Sequence, residues 1–127
     1  MKIISTLFIA AVLLVTGCSS ALDRQYAEAI RRLRQINANQ LISESQSLLK
    51  KLNRRDMYDI PKDQWPETIK HLNPVTVISD GSGIEIILKR WASKESGFYI
   101  AEAGYNPTNN PSVVYRIVQP DLYWYAL

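Results

Sequence analysis

The single cysteine of the chain, Cys18, is the residue best placed for covalent chemistry. A cysteine thiolate is a strong nucleophile, and no second cysteine is present to form an intramolecular disulfide with it. The residues just before it, Thr16 and Gly17, are small and would let an extended segment approach a peptidase. Cys18 is therefore a thiol without an intramolecular disulfide partner, preceded by small residues.

The segment before Cys18 has the layout of a secretory signal peptide. Lys2 supplies the positive charge, and an apolar run over residues 3–15 is interrupted only by Ser5 and Thr6. A helix that spans a bilayer needs about 20 apolar residues, and this run is shorter. We expect residues 1–17 to be removed rather than kept as an anchor.

The stretch Val15-Thr16-Gly17-Cys18 resembles the lipobox of bacterial lipoproteins, in which an aliphatic and two small residues precede an invariant cysteine. This resemblance covers residues 1–20 and implies that Cys18 carries a diacylglyceryl group and a third, amide-linked acyl chain. Two or more acyl chains hold a protein stably on a membrane, whereas one chain does so only marginally. In a cell with two membranes, Ser19 further implies an outer-membrane location facing the periplasm.

Charge is distributed unevenly along the rest of the chain. Residues 21–55 contain eight basic and three acidic side chains, whereas residues 56–127 contain six basic and nine acidic ones. Lys and Arg near an anionic membrane surface contribute about 1 kcal/mol each. Five cations are candidates for membrane-surface contact, the alternative being a solvated helix face: Arg31, Arg32, Arg34, Lys50 and Lys51. An envelope location argues against nucleic acid as a partner.

Apolar side chains recur at spacings of three and four over residues 22–52, which predicts an amphipathic helix. Asn and Ser residues in its middle favour either one long helix or two helices with a weak point near residues 37–43. Pro66 suits the first turn of a short helix over residues 66–72. Runs rich in β-branched residues follow, and the first two flank the glycine-bearing turn at residues 80–83, as in a hairpin.

These patterns predict an α+β fold with an N-terminal amphipathic helical arm, a short helix and a small antiparallel β-meander of three to five strands. The predicted organisation is a signal peptide over residues 1–17, a lipidated N-terminus and helical arm over 18–60, and a small α+β domain over 61–127. The aromatic side chains near the C-terminus are expected to fill the core rather than form a binding site. The domain resembles no family that we can name.

Few residues of the predicted domain suggest catalysis. The only histidine, His71, follows Glu67 by four residues, but a metal site needs three or four ligands, and no serine is spaced to complete a triad. Glu85 and Glu102 fall in alternating segments, where a charge usually faces water. We therefore expect no catalytic residue, no metal site and no cofactor.

One further motif suggests a different function. The stretch Ser96-Gly97-Phe98-Tyr99 is similar to the Ser-Gly-x-x-Tyr loop that periplasmic lysozyme inhibitors insert into an enzyme cleft, with the tyrosine one residue early. The sequence thus favours a non-enzymatic envelope lipoprotein that acts through contact with another envelope protein. A periplasmic inhibitor or immunity-type lipoprotein is the alternative, and a small envelope hydrolase ranks last.

Overall fold

The computed structural model describes residues 20–127, so Cys18 and the predicted signal peptide lie outside the described residues. It shows a mixed α+β fold, as predicted, with three α-helices, one short 3-10 helix and six strands. The helices are α1 (Ser20–Leu33), α2 (Ala38–Leu52) and α3 (Glu67–His71), with the 3-10 turn at Lys62–Gln64. The strands are β1 (Tyr58–Asp59), β2 (Thr76–Ser79), β3 (Gly83–Trp91), β4 (Lys94–Ala101), β5 (Val114–Gln119) and β6 (Leu122–Ala126).

All six strands form one antiparallel sheet in the order β1-β2-β3-β4-β6-β5. The predicted three to five strands are therefore too few. The sheet is also not a simple meander, because β6 lies between β4 and β5 and leaves β5 at the edge. The hairpin predicted at residues 80–83 is present, and the Asp80 carboxylate accepts hydrogen bonds from the backbone N–H groups of Ser82 and Gly83.

The segment over residues 22–52 forms two helices, which are separated by residues 34–37. Asn37 begins α2, because its side-chain oxygen accepts a hydrogen bond of 3.0 Å from the backbone N–H of Gln40. At the other end, Asn53 adopts a left-handed conformation with φ 48° and terminates the helix. The linker thus precedes the predicted weak point and shares only Asn37 with it, since residues 38–43 are helical.

Helices and strands share one hydrophobic core on one face of the sheet. Leu33 and Leu41 from the helices belong to the same buried cluster as Ile86, Phe98 and Trp124 from the strands. This cluster crosses the border predicted between residues 60 and 61. The aromatic residues of β6 are buried, which confirms that they fill the core.

The other face of the sheet is built around tyrosines. Tyr99, Tyr123 and Tyr125 are buried there together with Ala101, and Val113 and Tyr115 pack against them. The tyrosine rings of Tyr115 and Tyr123 meet edge to face with their centroids 6.2 Å apart. We call this the tyrosine face, and the opposite one the helix-covered face.

Candidate functional site

A polar groove of about 490 Å³ lies beside the C-terminal half of α2. Its other walls come from the β2–β3 turn and from the residues that follow β4. This volume is in the range of small-ligand sites. The lining residues are Ser43, Gln46, Ser47, Leu49, Lys50, Asn53, Arg54, Arg55, Gly81, Glu102 and Ala103. We call it the basic groove because three of them carry positive charge and one carries negative charge.

Helical spacing places several of these residues on one side of α2. Gln46 and Ser47 lie three and four positions after Ser43, and Lys50 lies four and three positions after them, so the four residues share one side of the helix. The Gln46 side-chain amide donates hydrogen bonds to the carbonyl oxygen of Ala101 at 2.9 Å and to the Asp121 carboxylate at 3.1 Å. These bonds fix the position of α2 over the end of the sheet.

The chain reversal after α2 brings two arginines into the groove. The left-handed Asn53 ends the helix and directs Arg54 and Arg55 along the groove wall. At the β2–β3 turn, a Cβ on Gly81 would lie 2.8 Å from Arg55 backbone atoms, and Gly81 has φ +88°. Only glycine fits this close approach and this conformation without strain.

The cations of the groove differ in how they are paired. Arg54 forms an ion pair of 3.0 Å with Asp56 and lies 4.2 Å above the Tyr58 ring. The hydrogen bond from Arg54 holds the pKa of Asp56 below its ordinary value. Lys50 and Arg55 are exposed and form no ion pair with any acidic residue among those described. These two cations remain available to an anionic group.

The five cations predicted for membrane contact fall at the ends of two different helices. Arg31 and Arg34 are exposed at the end of α1, and Lys50 and Lys51 lie in the last turn of α2, where positive charge stabilises a helix. Arg32 is half-buried, and its guanidinium donates to the carbonyl oxygen of Leu72 at 3.2 Å. Sequence reasoning did not assign Arg54 and Arg55 to a site because their position depends on where α2 ends.

The only histidine of the chain lies in the short helix α3. His71 is exposed in α3, with its Nδ1 atom 2.8 Å from the carbonyl oxygen of Glu67. Within residues 20–127, no three His, Cys, Asp or Glu side chains come close enough to hold a metal ion. Glu102 is exposed, but it follows β4 rather than lying within a strand.

Glu85 does not face water as the alternating pattern suggested. It lies on the tyrosine face between Ile78 and Tyr99 in the neighbouring strands and is partly buried. Burial raises its pKa to about 7, with a smaller contribution from the nearby Glu95 and Asp80 carboxylates. The alternating pattern did not predict this partial burial, because tyrosines cover this face of the sheet.

Two tyrosine hydroxyls bind the carboxylates next to Glu85. The Tyr99 hydroxyl donates to Asp80, whose oxygens lie 3.0 and 3.1 Å away. The Tyr125 hydroxyl donates to Glu95 at 2.8 Å. Burial raises the pKa of both tyrosines. These groups therefore hold each other in place within the tyrosine face.

The motif similar to an inhibitor loop is not a loop. Residues 96–99 lie inside β4, a central strand, and all four are buried. Neither Phe98 nor Tyr99 can be inserted into an enzyme cleft without taking the sheet apart. An inhibitor function would have to use another surface.

Comparison with protein-family models, with curated proteins and with solved structures gives no match to this chain. In the part of the chain that the structure describes, no helix is long and apolar enough to cross a membrane.

Proposed function

We propose that this protein is a non-enzymatic envelope lipoprotein that binds an acidic segment of another envelope protein in the basic groove. The observation that carries the proposal is a pair of cations on the walls of that groove, Lys50 and Arg55, which form no ion pair within residues 20–127. Arg54 adds a third positive charge, only part of which is offset by Asp56. Ser43 and Ser47 supply hydroxyl groups that can bond to the same ligand.

The strength of each ion pair indicates what kind of ligand the groove can bind. An exposed ion pair stabilises a complex by about 0.2–1 kcal/mol, so a single carboxylate would bind weakly. A segment with several carboxylates could engage Lys50, Arg54 and Arg55 together, and opposite charge would also speed its association. An acidic peptide segment therefore suits the groove better than an isolated anion.

Membrane attachment through Cys18 is the second part of the proposal. The lipobox-like residues at 15–18 support it. A lipid on Cys18 would hold the domain near the membrane surface, at the periplasmic face of the outer membrane. The exposed Arg31, Arg34 and Lys51 are then available for contact with anionic headgroups.

Charge reversal in the full-length chain tests the groove. The double variant Lys50→Glu/Arg55→Glu should lose the partner that cross-links to the wild-type protein in intact envelopes. The matched control Lys62→Glu/Lys94→Glu makes the same charge change at exposed positions outside the groove and outside the proposed membrane contacts, and it should keep that partner. Retention of the partner by the groove variant, or equal loss in both variants, would refute the groove as the contact site.

Mass spectrometry of the mature N-terminus tests the anchor separately. The expected N-terminal residue is a triacylated Cys18. An unmodified Cys18, or cleavage elsewhere, would overturn the lipoprotein assignment without affecting the result for the groove.

A further inference from the structure

The connection between β4 and β5 runs along the tyrosine face. It begins after Ala101, beside the start of β6, and reaches β5 at Val114, beside the end of β6. The opposite face of the sheet is covered by α1 and α2, which both contact β4. On the tyrosine face, Val113 packs against the buried tyrosine cluster, and Pro107 is also buried. We call residues 102–113 the strap.

The strap is fixed to the sheet mainly by side-chain contacts. Within residues 20–127, one hydrogen bond joins it to another segment, from the backbone N–H of Glu102 to the carbonyl oxygen of Ser82 at 2.8 Å. Its remaining hydrogen bonds close turns inside the strap, including those at Asn106 and Asn110. A segment without backbone pairing to the sheet can open locally at a lower cost than unfolding of the sheet.

The tyrosines next to the strap adjoin a carboxyl group that has no partner of its own. The Glu85 side chain forms no hydrogen bond and no ion pair within residues 20–127. It is close to Tyr99 of β4 and Tyr115 of β5, and Tyr105 of the strap is close to the same two tyrosines. Opening of the strap therefore uncovers this part of the sheet.

The charges around Glu85 disfavour its ionised form. Asp80 in the β2–β3 turn and Glu95 in β4 repel a negative charge there, whereas Arg90 attracts it. Arg90 is already paired with Glu95 at 3.7 Å. Neither β2 nor the strap contributes a cation. The other titratable groups of the strap and of the strands on this face are Glu102, Tyr99, Tyr105, Tyr115, Tyr123 and Tyr125.

We propose that the strap is a pH-sensitive cover that opens when Glu85 ionises. A buried carboxylate without a partner is costly, and an open strap lets water solvate it. Burial, followed by the Glu95 and Asp80 carboxylates, raises the pKa of Glu85 to about 7 in the closed protein. Between pH 4.5 and about 7, the protein with a closed strap therefore binds the proton more tightly than with an open strap, and rising pH favours opening. The proposal is independent of the basic groove and of the lipid anchor.

Limited proteolysis of the full-length chain tests the proposal, because a protease cleaves a segment in proportion to how often the segment opens. Wild type and Glu85→Gln are digested at pH 4.5 and pH 8 with a protease that is active at both, and fragment masses locate the cuts. At pH 8, we expect the wild type to be cut within the strap at least about tenfold faster than Glu85→Gln. At pH 4.5, the two rates should nearly coincide, because Glu85 is then protonated under the closed strap.

Two further variants separate opening of the strap from general destabilisation. Glu67→Gln, at an exposed position on α3, should match the wild type at both pH values. Val113→Ala weakens the contact with the tyrosine cluster without changing a charge, so it should speed strap cleavage by a similar factor at both pH values. Equal cleavage of the strap in wild type and Glu85→Gln at pH 8 would overturn the proposal. Cuts spread over the sheet would also overturn it, because the whole protein would then be unfolding.

Discussion

At the scale of single residues, the partial burial of Glu85 differs most from the exposure that its position in an alternating strand segment suggests. Its carboxyl group is partly buried beside Tyr99, which raises its pKa, and the nearby carboxylates of Glu95 and Asp80 raise it further. Arg90 opposes this shift only in part. The folded protein therefore holds a carboxyl group that stays protonated well above its ordinary pKa of 4.5.

The raised pKa of Glu85 predicts a pH dependence of stability. Between pH 4.5 and about 7 the folded state binds the proton more tightly than the unfolded state, so the free energy of unfolding falls as the pH rises. Below this window both states are protonated. Above it both are ionised, and the buried charge destabilises the fold. Glu85→Gln should therefore stabilise the protein at pH 8 by about 1–2 kcal/mol and have little effect at pH 4.5.

Urea denaturation of the wild type and the variant at both pH values measures this difference. Comparing the two proteins cancels the contributions of other titrating groups, such as Glu44, whose pKa is lowered by its hydrogen bond with Thr68. Glu102→Gln, at an exposed position outside the sheet, is the matched control. A stability difference for Glu85→Gln that does not change with pH would contradict the prediction.

At the scale of elements, the pairing of β3 and β4 depends on a close backbone approach at Gly97. A Cβ at this position would overlap the carbonyl oxygen of Ile86, next to the register shift between Ile87 and Lys89. Gly97→Ala should therefore destabilise the protein by about 3 kcal/mol or more, since the clash is with backbone atoms. Chemical denaturation measures the loss.

Gly104→Ala is the control for the Gly97 substitution. No described atom lies within 4 Å of a Cβ at Gly104, although its φ of +82° is unfavourable for alanine. The expected loss is about 1–2 kcal/mol from backbone strain alone. Equal losses at Gly97 and Gly104 would show that the close approach to Ile86 is not the cause.

The elements that could be predicted from the sequence are those with a long local pattern. The glycine-bearing turn at residues 80–83 and the β-branched run after it correctly predict the hairpin of β2 and β3. β1 has only two residues and carries no pattern of its own. The β5–β6 turn carries a weaker sequence pattern, because Asp121 adopts its φ of 68° without the glycine that usually marks such a turn.

The candidate site was harder to predict because its residues are far apart in the sequence and share no local pattern. The basic groove combines α2, Gly81 and Glu102, which are brought together only by the sheet topology. The charge excess over residues 21–55 made Lys50 a candidate for membrane-surface contact and did not indicate that it lines a groove. It could not show that Arg54 is paired with Asp56 while Arg55 is not.

At the scale of the whole molecule, helices and sheet depend on one core. Leu41 of α2 has no exposed surface and belongs to the same buried cluster as Trp124 of β6. Leu41→Ala leaves a cavity in that cluster, and such changes cost about 2–5 kcal/mol. Because the core is shared, we expect the helices and the sheet to be destabilised together. Unfolding should therefore remain a single cooperative transition.

Two spectroscopic probes test this cooperativity in the full-length chain. Far-UV circular dichroism follows the helices, and tryptophan fluorescence follows the buried Trp65 and Trp124. Both signals should shift to lower denaturant by the same amount in Leu41→Ala and should not shift in Lys51→Ala, an exposed position on the same helix. A helical signal that disappears first would mean that residues 20–52 form a separable unit. Coincident transitions would instead mean that α1 and α2 are structural parts of the domain that carries the basic groove.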